Sequence, residues 1–173
     1  MKPTPIFMTL FLSFLPLTTH AQLASIPELE PLNRYAGTWT TTFTLEGKTP
    51  DTLTGTVTAE WILGGRYLQQ TATIPNVGDT ELSVTTLMTY DPENKVYRHW
   101  SFDSSGDHNT GTGTWDAEAN TFSWNLTDPL TNATTRITST LPTGGPEEWI
   151  IVNEDASGKA TGMISGKNTL KTN

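Results

Sequence analysis

The sequence predicts an all-β fold: a single antiparallel up-and-down β-barrel of about ten strands, led in by a short helical turn. Three observations carry that expectation. Threonine is abundant along the whole chain while helix signals are few. Segments of β-type residues are interrupted by turn residues about every ten positions. The interruptions are too short for the crossovers that parallel strands require, so successive strands pair antiparallel. A sheet of that many strands in up-and-down order leaves two costly edges unless it closes on itself.

Residues 1–21 read as a signal peptide. Lys2 supplies a lone positive charge, residues 6–17 form an uncharged and mostly apolar run, and Thr19-His20-Ala21 places small residues before a cut. The run is shorter than the roughly 20 residues that cross a bilayer, so the expectation is export to the periplasm or outside the cell after cleavage near Ala21. Residues 22–36, with Pro27 and Pro31, form a leader, and residues 37–173 form the barrel domain. Candidate strands are 38–45, 54–63, 66–74, 80–90, 96–103, 108–115, 121–126, 134–141, 149–153 and 160–170. Gly64-Gly65, Asp91-Pro92-Glu93-Asn94, Ser104-Ser105-Gly106, Gly144-Gly145-Pro146 and Ala156-Ser157-Gly158 supply hairpin turns between them.

The chain of 173 residues is of single-domain length and carries 10 basic against 18 acidic residues, a net charge of −8. That balance argues against binding a phosphate backbone, which needs a basic surface. The absence of cysteine removes disulfides, thiol nucleophiles, thiolate metal sites and a lipid attached through cysteine. The mature chain is therefore expected to be free in its compartment, without membrane insertion. Two Asn-x-Thr sequons, at Asn125 and Asn132, matter only in a host that glycosylates.

Pro31-Leu32-Asn33-Arg34-Tyr35-Ala36-Gly37-Thr38-Trp39 resembles the start of a lipocalin-type barrel, where a short helical turn runs into Gly-x-Trp on the first strand. The stretches WILGGRYLQQ (61–70), YDPENKVYRHWSFDSSG (90–106), GTWD (113–116) and the Gly158-Lys159 turn with its final strand are similar to a bacterial family of barrels catalogued only as a domain of unknown function. The resemblance spans nearly the whole mature chain and implies a lipocalin-like barrel, with no reaction attached. The chain departs from that family at its end, where Leu170-Lys171 stand in place of an arginine; Lys171 would then lie over Trp39 as a weaker cation–π partner. Haem-carrying barrels with a Gly-x-Trp start use a late histidine, and no histidine follows His108.

Strand parity gives the expected interior. A Gly64-Gly65 turn pairs Leu63 with Arg66, Trp61 with Leu68, Ala59 with Gln70 and Val57 with Ala72, all facing inward. A turn at Ser105-Gly106 pairs Asp103 with His108. It puts Val96, Arg98, Trp100 and Phe102 on one face with Asn109, Gly111, Gly113 and Trp115. That face is the more apolar and is expected inside. Tyr97, His99, Ser101, Asp103, His108, Thr110, Thr112 and Thr114 are expected outside. A loop of about five residues after Tyr90 sets Val84, Met88 and Tyr90 beside the same interior face, whereas a four-residue loop reverses that parity. On the outer face His99 lies too far from the Asp103–His108 pair to share a metal. Asp103 and His108 with Asp107 make a weak rim site at most, so no metal and no cofactor is expected.

The candidate ligand-binding residues are thus Arg98, Arg66, Trp100, Tyr90, Trp61, Phe102, Trp115 and Gln70. An inward guanidinium keeps its proton and needs an acid, a ring face or a ligand anion. Aromatic walls with one or two arginines suit a small amphipathic or anionic molecule held by its carboxylate. The structural reading of the same residues is a water-exposed Arg66 beside its turn and an Arg98 stacked on a tryptophan. Three functions follow: an exported small-molecule-binding barrel; a structural or interaction barrel with a filled interior; and an enzyme using the cavity, with Arg98 polarising an oxyanion and Tyr90 donating a proton. The last lacks a nucleophile motif and a metal set, so no catalytic residue is assigned and the chain is read as a binder sooner than an enzyme.

Overall fold

The computed structural model describes residues 26–45, 51–77, 80–143 and 145–171. The expected signal peptide lies outside the described residues. A 3-10 helix, Pro27–Tyr35, leads into ten strands: β1 Gly37–Leu45, β2 Asp51–Ile62, β3 Tyr67–Val77, β4 Thr80–Asp91, β5 Val96–Asp103, β6 His108–Asp116, β7 Thr121–Thr127, β8 Thr134–Thr140, β9 Glu147–Glu154 and β10 Ala160–Leu170. Each strand pairs antiparallel with its sequence neighbour, and β1 pairs with β10, so the sheet closes as a ten-strand barrel. The all-β up-and-down barrel expected from the sequence is the fold observed.

Alternation explains the strands. In β1, Trp39, Thr41 and Phe43 are buried while Thr38 and Thr42 are exposed, the period of two that a half-buried strand demands. Thr38, Thr40, Thr42 and Thr44 pair across to Thr58, Thr56, Thr54 and Thr52 of β2. The outer face of this region is thus a ladder of β-branched hydroxyl residues, which suits cross-strand packing in water.

The helix closes one end of the barrel. Its Leu29, Leu32 and Tyr35 are buried against Leu68, Met88, Tyr97, Phe122, Trp124 and Leu141. Polar contacts fix it there: Trp39 Nε1 donates to the Tyr35 carbonyl at 2.8 Å, Tyr97 Oη to the Glu28 carbonyl at 2.7 Å, and Trp61 Nε1 to Asn33 Oδ1 at 2.6 Å. Arg34 donates to the Leu141 carbonyl at 2.9 Å and lies 5.2 Å over the Trp115 ring. Full burial of each large apolar side chain contributes about 1.5–3 kcal/mol, so this plug is a main source of stability. Gly113 makes room for it, since a Cβ there would meet the Trp124 ring at 2.3 Å.

The structure corrects the parity expected for β5. The β4–β5 loop is the four residues 92–95, and it pairs Tyr90 with Tyr97, Met88 with His99, Thr86 with Ser101 and Val84 with Asp103. Asp91 causes this. Its carboxylate Oδ1 accepts the backbone N–H groups of Glu93 and Asn94 at 3.1 Å each, and Lys95 completes the turn at φ 55°. Likewise the β5–β6 turn pairs Phe102, not Asp103, with His108. Tyr97, His99, Ser101 and Asp103 therefore face inward, and Val96, Arg98, Trp100 and Phe102 face outward. The inward placement expected for β2, β3, β4 and β6 holds within the strands, but Leu63 and Arg66, expected as an inward pair, fall in the turn beyond Ile62–Tyr67, and Leu63 is exposed.

Candidate functional site

Beyond the helix plug the barrel encloses a cavity of about 410 Å³. Val57, Ala72, Ile74, Val84, Ile137 and Ile151 form apolar walls, and Tyr35, Phe43, Trp124 and Trp149 supply rings. Polar side chains are interspersed among them: Gln70, Thr86, His99, Ser101, Asn109 and Asn153. The volume lies within the roughly 300–1,000 Å³ of small-molecule sites, and an apolar wall with polar groups set into it is theirs too.

A chain of hydrogen bonds crosses the plug side of the cavity. Tyr35 Oη donates to Ser139 Oγ at 3.0 Å, and Ser139 Oγ donates to Glu147 Oε1 at 2.5 Å. Asn168 Nδ2 donates to Glu147 Oε2 at 2.6 Å, and Trp149 Nε1 donates to Asn168 Oδ1 at 3.3 Å. The helix, β8, β9 and β10 all contribute members of this chain, β9 both Glu147 and Trp149. Glu147 is 6% exposed. Burial pushes its carboxyl up from the ordinary value, and the hydrogen bonds from Ser139 and Asn168 oppose that only in part. Burial, with the Glu147 charge behind it, raises the Tyr35 hydroxyl as well.

His99, on β5, is equally buried, and its ring centre lies 5.1 Å from that of Trp124. Burial alone lowers its pKa to about 4, so the imidazole is neutral near pH 7. Its Nδ1 has no hydrogen-bond partner among the described residues.

The residues expected at the site fare differently. Of the eight, Gln70 lines the cavity. Tyr90, Trp61 and Trp115 face inward but belong to the packed plug half. Arg98 is on the outer face, where its NH2 and Nε atoms donate to Asp91 Oδ2 at 2.8 and 3.1 Å. Hydrogen bonds from Asn94 and Arg98 in turn hold the Asp91 carboxyl below the usual range. Trp100 is also outside, its ring 6.4 Å from Tyr67, and Phe102 is 48% exposed beside His108. Arg66 stands at the β2–β3 turn and does not line the cavity. Asp103 points inward and His108 outward, so the rim pair separates to opposite faces. Sequence reasoning missed His99, Ser139, Glu147 and Asn168. Glu147 had a signal: it shares parity with Trp149 and Ile151, which an earlier start to β9 would have put inside.

The profile of a protein family, described as a protein of unknown function (DUF1579), matches residues 26–140, spanning the helix through β8. The chain belongs to that family. Glu147 and Asn168 lie beyond the matched stretch. The crystal structure of Rv2717c from M. tuberculosis superposes with a TM-score of 0.65 at 12% identity, covering 86% of this chain and 100% of that one. At that identity the likeness is one of fold. A DUF3598-family protein of unknown function from Nostoc punctiforme gives a TM-score of 0.49 at 10% identity, over 81% of this chain and 48% of its own. A comparison with curated proteins finds no match.

Proposed function

We propose that this barrel binds a small, largely apolar molecule in its interior. The observation that carries the reading is the cavity of about 410 Å³, walled by aliphatic and aromatic side chains with polar groups on a few sides. The arginine-held anion expected from the sequence has no support in that lining, which includes neither Lys nor Arg. A body that is apolar with one polar head fits better. Export after cleavage near Ala21 is part of the same proposal and rests on the pattern of residues 1–21. N-terminal sequencing of the protein recovered from its host tests that part.

Native mass spectrometry of gently purified protein, with Ala72→Trp alongside, tests the binding. A wild-type complex with a small molecule, lost in the cavity-filling variant, is the expected result. Bare masses for both proteins, together with no response of the cavity tryptophans to apolar probes, would overturn it.

A further inference from the structure

We infer that the ligand of the cavity is a hydrophobic amine, its ammonium group pairing with Glu147 and its tail lying along the apolar walls. This deepens the binding proposal and rests on it. Glu147 is 6% exposed, lines the cavity and accepts two hydrogen bonds, from Ser139 and Asn168. A carboxylate has about four lone-pair positions, so the group retains acceptor capacity. What it lacks, among the ion pairs of the described residues, is a counter-charge. Among the described residues, five cations have partners elsewhere: Arg34 with the Leu141 carbonyl and Trp115, Arg98 with Asp91, Arg136 with Glu154, Lys167 with Glu148, Lys171 with Thr56. A buried carboxyl in that position either keeps its proton or receives a cation from outside.

The rest of the lining agrees with an incoming cation. Trp149, Phe43, Trp124 and Tyr35 present rings that stabilise an ammonium by cation–π contact. The second acid of the lining, Asp103, repels anions and attracts cations, and the net charge of −8 does the same at longer range. Neutral His99 offers no opposing charge.

The proton balance follows. Burial raises the pKa of Glu147, so whatever share of the carboxyl carries a proton gives it up to solvent as the carboxylate–ammonium pair forms. Affinity for the amine therefore rises with pH until the amine itself deprotonates. Tyr35 is the titratable group that touches the chain of hydrogen bonds to Glu147. Ser139, Trp149 and Asn168 around it do not titrate, while His99 and Asp103 line the same cavity from β5.

Decylamine, decanol and decanoate share a tail and differ in head group, and each is titrated below its aggregation limit against the full chain, read by tryptophan fluorescence and calorimetry. Decylamine is expected to bind roughly tenfold tighter than decanol or better, with decanoate weakest. Calorimetry in buffers of different ionisation enthalpy should register proton release with decylamine alone. Glu147→Gln should erase the preference and keep the decanol affinity, while Asp103→Asn should keep the preference. If Glu147→Gln fails to fold, the head-group order in the wild type and in Asp103→Asn decides. Equal binding of decanol and decylamine, or loss of the preference in Asp103→Asn, would overturn the assignment to Glu147 and leave the cavity reading intact. No binding of any of the three would overturn the cavity reading itself.

Discussion

The two halves of the barrel are built from the same ten strands and are filled in opposite ways. In the plug half the 3-10 helix inserts Leu32 and Tyr35 among Phe122, Trp124 and Tyr97, with Phe122 ring centres 4.6–5.6 Å from those of Trp115, Tyr97, Trp124 and Tyr35. In the other half the inward positions carry Val57, Ala72, Val84, Thr86 and Ser101, and the cavity remains between them. A barrel of about 8 strands is just wide enough for its own side chains to fill. This one is wider, so an extra element must enter or space must be left, and the molecule does each at a different end.

That comparison is exposed to direct tests. Phe122→Ala removes the centre of the ring cluster and should cost about 3–5 kcal/mol in denaturant unfolding. The pH dependence of stability comes next. His99 titrates at about 4 in the fold against 6.5 ordinarily. Its folded pKa is depressed, so the unfolded chain takes up the proton first. The contribution is therefore complete above about 6.5 and lost as pH falls toward about 4, on the order of 3 kcal/mol. Glu147 has the opposite sign: its raised pKa favours the fold at low pH, and that contribution is lost as pH rises from the ordinary 4.5 through the raised value. Comparing the stability–pH curves of wild type and His99→Gln isolates the histidine; parallel curves would mean that His99 is hydrated.

Tyr35→Phe removes the donor to Ser139 and should cost about 0.5–1.5 kcal/mol, measured by the same unfolding. Val84→Ala, on the cavity wall, should cost about 1 kcal/mol or less while changing the binding of apolar probes. A cost matching that of Phe122→Ala would mean that the cavity half is as tightly filled as the plug. Arg98→Ala, outside the barrel, should give the smallest stability change and leave probe binding as in the wild type.

The strands and their order were legible because threonine-rich alternation and Gly, Pro and Asp turns mark them locally. The inward faces of β2 and β3 were legible for the same reason: one Gly-Gly turn fixes the pairing of Trp61 with Leu68 and Val57 with Ala72. The face of β5 was not. Asp91 belongs to β4 yet caps the turn that follows, and one residue more or less there exchanges His99 and Ser101 for Arg98 and Trp100. Composition pulled toward the wrong choice, because Arg98, Trp100 and Phe102 form the more apolar set. In the structure Tyr67 and the Asp91 carboxylate accommodate Trp100 and Arg98 on the outside. The chain through Tyr35, Ser139, Glu147 and Asn168 was beyond local reading altogether. Its members come from the helix and three strands, and only closure of the sheet brings them together.

That closure has a kinetic side. β1 and β10 come from opposite ends of the described chain, and their ladder from Trp39–Leu170 to Leu45–Ile164 is the last that synthesis can supply. Every earlier hairpin can zip as it emerges, but until β10 arrives the growing sheet carries bare edges at β1 and β9. A topology with so distant a closing contact folds slowly, and its half-made form is open to strand addition by other molecules. Closure pairs the backbone of both edges, so the interval before the ring shuts is when this chain is most exposed to aggregation.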